Sequence, residues 1–598
     1  MSDKVAEIKA LAGRDNKAAW VANLWDTYNN QRASKINDWI ELRNYIFATD
    51  TTTTSNSALP WKNSTTLPKL TQIRDNLHSN YLSSLFPNDK WLQWKGYTKK
   101  DSTRKKAKII TAYMENKTRE ARFRQEVSRM LYDYIDYGNA FATVSFEKRY
   151  NTRPDGSKVA GFIGPRGHRI SPHDIVFNPL ASTFEDTFKI IRSLKTIGEL
   201  KKLAMTNPEH AFWEQAIANR LELQRNVGGY SKEDFDKSIG YSVDGFGSMY
   251  EYLMSDYIEI LEFFGDHHDA GTGVLSINRM ITIADRSITV RDEPINTLDG
   301  RAPIRHVGWR LRPDNLWAMG PLENLVGMQY RIDHLENLKA DAMDLSVHPP
   351  LMIIGEVEEF IWGPGAEIHL DENGSVQEIS KNLGAIITSD TQIRELEAKM
   401  ELYAGAPREA MGVRSPGEKT AFEVQKLDNA ASRIFQEKIT AFETSLLEPN
   451  LNDQLEIAIR NFDGVDIVRT IDTSLGFTEF TTITIDDISA SGVLRPVGAR
   501  HFGEVANELQ NIIGIANSPI WPLVQPHTSA IALTRFVEDV TAIAGYEIFR
   551  PNVAIQEQKE TQALMNQASE DLQMEASVPP LPTGGAPQAA PQIPGAPA

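Results

Sequence analysis

Cysteine is absent from all 598 residues, which excludes disulfides, thiolate catalysis and cysteine-ligated zinc and fits assembly in a reducing compartment. No run approaches the ~20 apolar residues needed to span a bilayer. The start, Met1 to Leu11, carries charges where a signal peptide needs an apolar core. The expectation is a chain with no membrane partner that stays where it is made. Cationic excess is lacking too: 63 Lys and Arg stand against 80 Asp and Glu, a formal charge of −17. Tight duplex binding relies on Lys and Arg displacing counterions from phosphates, so DNA, if a partner, is not held tightly. What is present is 41% apolar content over a length that implies several domains with large cores.

The charge is unevenly placed. From Lys99 to Arg129 there are eleven Lys or Arg against four acids, Asp101, Glu115, Glu120 and Glu126, on a segment that reads as helix. From Gly355 to Ser380 there are seven acids, Glu356, Glu358, Glu359, Glu367, Asp371, Glu372 and Glu378, with no Lys or Arg. A solvated face is the plain alternative for both stretches.

Periodicity gives a helix-rich α+β chain. Helices are expected over 16 to 48 and 66 to 86, the second through Leu67, Leu70, Ile73, Leu77 and Leu82 and ended by Pro87. A further helix runs to about Asp136; Asp133 and Asp136 read as ordinary helix surface. Ala140 to Arg149 reads as a strand, and the turn residues Pro154, Asp155 and Gly156 join it in a hairpin to another short strand. Tyr257 to Phe264 and Val274 to Ala284 form a second β region. The intervening Asp266, His267, His268 and Asp269 are better taken as a hairpin tip than a metal site, because neighbours on a strand point to opposite faces. Trp61, Trp91, Trp94, Trp309 and Trp317 read as core or interface packing, not base-stacking platforms.

Residues 311 to 462 are the most informative. After Gly320-Pro321, the positions Leu322, Leu325, Gln329, Ile332, Leu335, Leu338, Ala342 and Leu345 place one face on a helix that Pro349-Pro350 stops. Leu351 to Leu383 is a compact insertion of short β-like runs. A second helix starts near Thr391 and runs to about Tyr403. Gly405, Pro407, Gly412, Pro416 and Gly417 then force a loop, and a helix of roughly 60 Å begins near Thr420, with Pro449 expected to kink it.

This order of helix, β insertion, antiparallel helix, loop and long helix resembles the portal proteins, the head-to-tail connectors of short-tailed bacteriophages. The resemblance is carried by Trp317 to Pro321, Leu335-Glu336-Asn337-Leu338, Val347-His348-Pro349-Pro350-Leu351, Pro364-Gly365-Ala366 and Lys419-Thr420-Ala421-Phe422-Glu423-Val424. It extends to Tyr137-Gly138-Asn139-Ala140, to Ser171-Pro172-His173-Asp174-Ile175, and to Ile488-Ser489-Ala490 through Arg500.

The resemblance implies a portal fold: a wing over 1–310, a first stem helix over 311–347, a clip over 348–385 and a second stem helix over 386–403. A channel loop over 404–419, a tunnel helix over 420–462, a β return to the wing over 463–499 and a helical crown over 500–565 would come after these. It implies twelve subunits closing into a ring that conducts double-stranded DNA, assembled in the bacterial host cytoplasm and placed at the portal vertex of the virion. Terminase, capsid or scaffold proteins and tail adaptors would be its partners. Arg408, Glu409, Arg414, Glu418 and Lys419 would touch DNA from the channel loop. Glu356, Glu358, Glu359 and Glu367 would give the clip an acidic surface. An acidic lining suits a duplex that must slide, because a basic one would trap it.

Two other readings stand beside it: another virion structural protein, such as a tail adaptor or capsid component, and a nucleotide-binding enzyme. Gly412 to Thr420 nearly spells a phosphate loop, but Glu418 is inserted between Gly417 and Lys419, where an acid would face phosphate. No catalytic signature, cofactor or metal is expected. Val578 to Ala598, with seven prolines and no charge, cannot bury enough apolar surface to fold, so 566–598 reads as a disordered tail.

Overall fold

The computed structural model describes residues 16–48, 54, 63–86, 91–97, 101–153, 158–206, 213–226, 256–269, 273–286, 288–297, 300–347, 351–355, 374–378, 384–404, 434–462, 464, 466–471, 478–489 and 491–496. The chain forms two compact units, Met1–Thr470 with Phe480–His501, and Ile471–Glu479 with Phe502–Ala598. The crown over 500–565 and the Pro/Ala-rich tail lie outside the described residues.

In place of one helix over 16 to 48 there are two, α1 (Asn16–Gln31) and α2 (Ala33–Phe47). Between them Arg32, at φ −96° and ψ 7°, leaves the helical region. Its guanidinium is buried and donates to the carbonyls of Pro172 at 2.6 Å and Ile175 at 2.7 Å, and also to that of His173. A buried cation satisfied by three carbonyls outweighs one continuous helical turn. Helix α3 (Lys69–Leu85) buries Leu70, Ile73, Leu77, Tyr81 and Leu85 at three- and four-residue steps, as its periodicity requires. Then come β1 (Leu92–Gly96), α4 (Asp101–Glu120) and α5 (Phe123–Asp136). The hairpin of β2 (Asn139–Thr152) and β3 (Lys158–Ile170) is antiparallel and longer than the sequence pattern marks.

Next in the chain is a five-stranded antiparallel sheet, in the spatial order β4 (Ile175–Phe177), β5 (Lys189–Thr196), β6 (Tyr257–His268), β7 (Leu275–Ala284) and β8 (Ile288–Pro294). Two helices, α6 (Ile197–Thr206) and α7 (Trp213–Asn226), lie between β5 and β6 in the chain. Strand β6 is covered on both faces from Ile258 to Phe264. Leu261 and Phe263 pack with Val21 and Trp25 of α1, while Ile258 and Ile260 pack with Leu200, Trp213 and Ile217. Odd and even positions of one strand thus serve two cores.

Strand β9 (Ile304–Gly308) joins the free edge of β2, and β10 (Arg310–Arg312) with β11 (Asn315–Met319) makes a hairpin leading to α8 (Val326–Val347). The insertion holds β12 (Leu351–Ile354) paired antiparallel with β13 (Ser375–Glu378). Helix α9 (Gly384–Tyr403) starts earlier than Thr391. The Asp390 carboxylate, one residue before the expected start, takes Lys339 at 3.3 Å and Arg394, one turn further on, at 3.0 Å, contacts that favour helix through this point. Within the long helix, residues 434–442 are followed by a π turn at Glu443–Leu447 and then α10 (Glu448–Arg460). The irregularity expected from Pro449 takes this form, since a wider turn relieves the clash of its ring with the preceding carbonyls.

The chain continues through β14 (Asp466–Ile471), β15 (Thr478–Ile483), the single turn α11 (Ile485–Ile488) and β16 (Gly492–Pro496). Strand β16 returns to pair antiparallel with β1, from Leu92 opposite Pro496 to Gly96 opposite Gly492. The largest core joins Leu42, Leu77, Tyr134, Leu335, Met400 and Leu451, from segments spread over most of the first unit.

Two short motifs meet where α5 gives way to β2. Gly138 has φ +68°, and a Cβ there would lie 2.3 Å from the Gly320 nitrogen and from the Met319 carbonyl carbon. Gly138→Ala is expected to cost more than about 3 kcal/mol, because left-handed strain and a backbone clash add. Gly320→Ala, whose nearest contacts would be at 3.0 Å, should cost less. Urea unfolding of both variants checks the order; equal midpoints for Gly138→Ala and the parent chain would refute it.

Candidate functional site

All nine site residues named from the sequence, Arg408, Glu409, Arg414, Glu418 and Lys419 of the loop and Glu356, Glu358, Glu359 and Glu367 of the insertion, lie outside the described residues. So do the Gly412 to Thr420 near-phosphate loop and Trp61. What the structure describes is the frame that carries them.

The frame starts with the two helices flanking the insertion. Lys339 of α8 meets Asp390 near the start of α9, whereas Lys69, beside Gln329 near the start of α8, meets Glu401 at the end of α9. The helices are therefore antiparallel. The Lys69–Glu401 pair is 2.6 Å long and nearly fully buried.

Along α8 runs a polar ladder that apolar periodicity does not reveal. Residues 63–67, outside any helix or strand, form a strap that lies against Gln329, Asp333, Asn337 and Asp341. The amide of Asn63 donates to Asp341 Oδ1 at 2.9 Å, that of Thr65 to Asn337 Oδ1 at 2.8 Å, and that of Leu67 to Asp333 Oδ1 at 3.0 Å. In return Asn337 Nδ2 donates to the Thr65 carbonyl at 3.0 Å and Gln329 Nε2 to the Leu67 carbonyl at 2.6 Å. The register reflects two repeats: two extended residues advance about 6.6 Å and four helical residues about 6.0 Å. Alternate residues of the strap thus meet every fourth residue of the helix. The sequence carries a signal for it, as polar residues capable of pairing a backbone recur at steps of four, but such a stripe also describes an ordinary wet face.

Asp333 is the electrostatically costly rung. It is fully buried, its Oδ2 has no partner, and burial pushes its carboxyl up to about 7 despite the Leu67 and Gln329 donors that favour the charged form.

Asp133 and Asp136 are not the helix-surface residues expected from the sequence. Both are buried. Arg74 grips Asp136 through two bonds of 2.6 and 2.7 Å, and Arg169 grips Asp133 likewise, one bond at 2.7 Å. Burial raises both carboxyls, Asp133 to about 7, with the arginines opposing. The aspartates sit three apart, on one face of α5, and the apolar periodicity of that helix does not reveal that its inner face also holds charge. Nearby, Asn139 holds Ala318 by reciprocal 3.0 Å bonds, and the rings of Tyr137 and Trp39 lie 5.1 and 5.3 Å from His173. The sequence motifs at 137–140, 171–175 and 317–321 are brought together here. Burial and the charges of Arg32, Arg43 and Arg169 lower His173 to about 4, so it is neutral at pH 7.

Asp266, His267 and His268 belong to strand β6 and not to its loop. His267 packs on Trp20 at 4.5 Å, and Asp266 Oδ1 accepts from the Asn278 amide at 2.8 Å. Among the described residues there is no group of three potential ligands that could hold a metal. Trp91, Trp94, Trp309 and Trp317 are all buried core residues, as expected. No described helix is long and apolar enough to cross a membrane.

The last feature is an uncovered surface. The apolar face of α8 is buried from Leu325 to Leu335 and then emerges, with Leu338 45% and Met343 52% exposed. Leu345, and Met352 and Ile354 of β12, continue it.

Replacing Asn337→Ala strands the Thr65 N–H and carbonyl and is expected to cost about 2 kcal/mol. Asp333→Asn keeps the acceptor and removes the titration. A carboxyl raised when folded binds its proton more tightly in that state, so its share of stability is full below about pH 4, falls as pH rises to about 7, and is then level. Urea midpoints against pH should fall less steeply in Asp333→Asn; an unchanged slope would show that the group is charged throughout. In comparison with known proteins, the chain matches no family model and no curated protein.

Proposed function

We propose that the chain is a portal subunit, one copy of a ring at a capsid vertex through which double-stranded DNA enters and leaves and on which tail adaptors, terminase and capsid or scaffold proteins dock. The carrying observation is the antiparallel pair α8 and α9 around a small β insertion, followed by the helix through 434–460. This supports the reading because it is the order in which the family's stem, clip and tunnel helix occur.

The uncovered apolar residues support it as well. Leu338, Met343 and Leu345 on the outer half of α8 lie beyond the core of their own chain, and further copies around a closed ring would cover them. In this reading the residues 404–419 project into the channel, where Arg408 and Arg414 brush phosphates while Glu409 and Glu418 keep the contact weak. The protein is a structural part of the virion and not an enzyme.

The purified chain is expected to form closed rings, visible in negative stain and by mass photometry at micromolar concentration. Leu338→Glu with Met343→Glu should shift it towards monomer without unfolding it, as both side chains are exposed in one copy. A homogeneous monomer of the parent chain would overturn the proposal. Nucleotide hydrolysis is expected to be absent, and turnover abolished by Lys419→Ala would favour the enzyme reading instead.

A further inference from the structure

Helix α4 ends at Glu120 and α5 begins at Phe123, and the chain turns between them at Arg122, with φ 55° and ψ 39°. This left-handed conformation is unfavourable for an arginine, and glycine would make the same turn at less cost. A strained non-glycine residue at a corner is a reason to ask what its side chain does. Arg122 is exposed, and so are Arg119 and Arg124. None of the three has a hydrogen-bond or ion-pair partner for its guanidinium among the described residues, though Arg124 lies 5.6 Å over the Phe86 ring.

The buried and half-buried arginines Arg74, Arg169, Arg286 and Arg305 are matched to Asp136, Asp133, Glu259 and Asp453, while exposed ones such as Arg43, Arg310, Arg312 and Arg331 share the corner's lack of an ion-pair partner among the described residues; the corner differs in gathering three within six residues. The corner is also held firmly. Lys117 is turned inward and donates to the Ile163 carbonyl at 2.9 Å, and Phe123 is buried in the main core. Three unpaired guanidiniums within six residues therefore stand on a rigid mount, inside the one strongly basic stretch of a chain whose net charge is −17.

We propose that this α4–α5 corner binds the phosphate backbone of nucleic acid, independently of the loop at 404–419 and of ring formation. The guanidinium fork matches phosphate oxygens, and arginine in place of lysine favours that geometry. No exposed aromatic residue stands among the three arginines, so the contact reads charge and not bases and is independent of sequence. The acidic remainder of the chain keeps the affinity low and strongly dependent on salt.

The test is fluorescence anisotropy of a labelled duplex with the full chain from about 50 to about 200 mM salt. The combined variant Arg119→Glu, Arg122→Glu and Arg124→Glu should bind at least about tenfold more weakly, with a salt slope smaller by about three, one phosphate per arginine. Arg122→Gly separates binding from folding: it should raise thermal stability while weakening the duplex contact. Parent-like binding by both variants would overturn the proposal. So would a parent chain that binds no duplex while the combined variant loses its self-association, which would make the corner a contact between copies. Loss of duplex binding with no rings in either chain would sink the portal reading and leave this one standing.

Discussion

The described architecture depends on the match in pitch between the strap and helix α8. Residues 63–67 have no strand neighbour of their own, and their amides and carbonyls are satisfied by side chains at every fourth position of the helix. Because buried backbone groups must be paired, the match fixes the strap in register, and with it the start of α3 at Lys69. Lys69 in turn reaches Glu401 and ties the end of α9 to the same point. One register thus positions three helices, and the β insertion is held between two of them.

Buried charge does related work deeper inside. The Arg74–Asp136 and Arg169–Asp133 pairs join α3 and β3 to the inner face of α5, each through two bonds. Such pairs add little net stability, since desolvation offsets most of the attraction, but either partner alone would be an uncompensated buried charge. Arg32 obeys the same logic by breaking a helix to reach three carbonyls. These contacts hold the wall from which the helix pair extends.

That the apolar face of α8 runs past the core is the feature that looks outward. In the proposed ring this is the stretch of apolar surface that a neighbouring copy would cover. The α4–α5 corner is its electrostatic counterpart, a set of cations unmatched within the described part of the chain.

Much of the frame was legible in the sequence. The three- and four-residue spacing of Leu70, Ile73 and Leu77, the end of α8 at Val347 and the pairing of β2 with β3 report local periodicity and backbone freedom, which the chain carries in itself. Composition excluded disulfides and thiolate chemistry outright. Only the tertiary structure decided the rest. It made Asp133 and Asp136 buried ion-pair partners, broke a helix at Arg32, carried α9 through Asp390 and turned a polar stripe on α8 into a ladder. In each case the deciding partner is distant in the chain: Arg169 for Asp133, Pro172 for Arg32, Lys339 for Asp390 and Leu67 for Asp333. Periodicity records which face of an element is apolar, but a polar side chain looks the same in sequence whether it meets water or a buried partner brought to it by the fold.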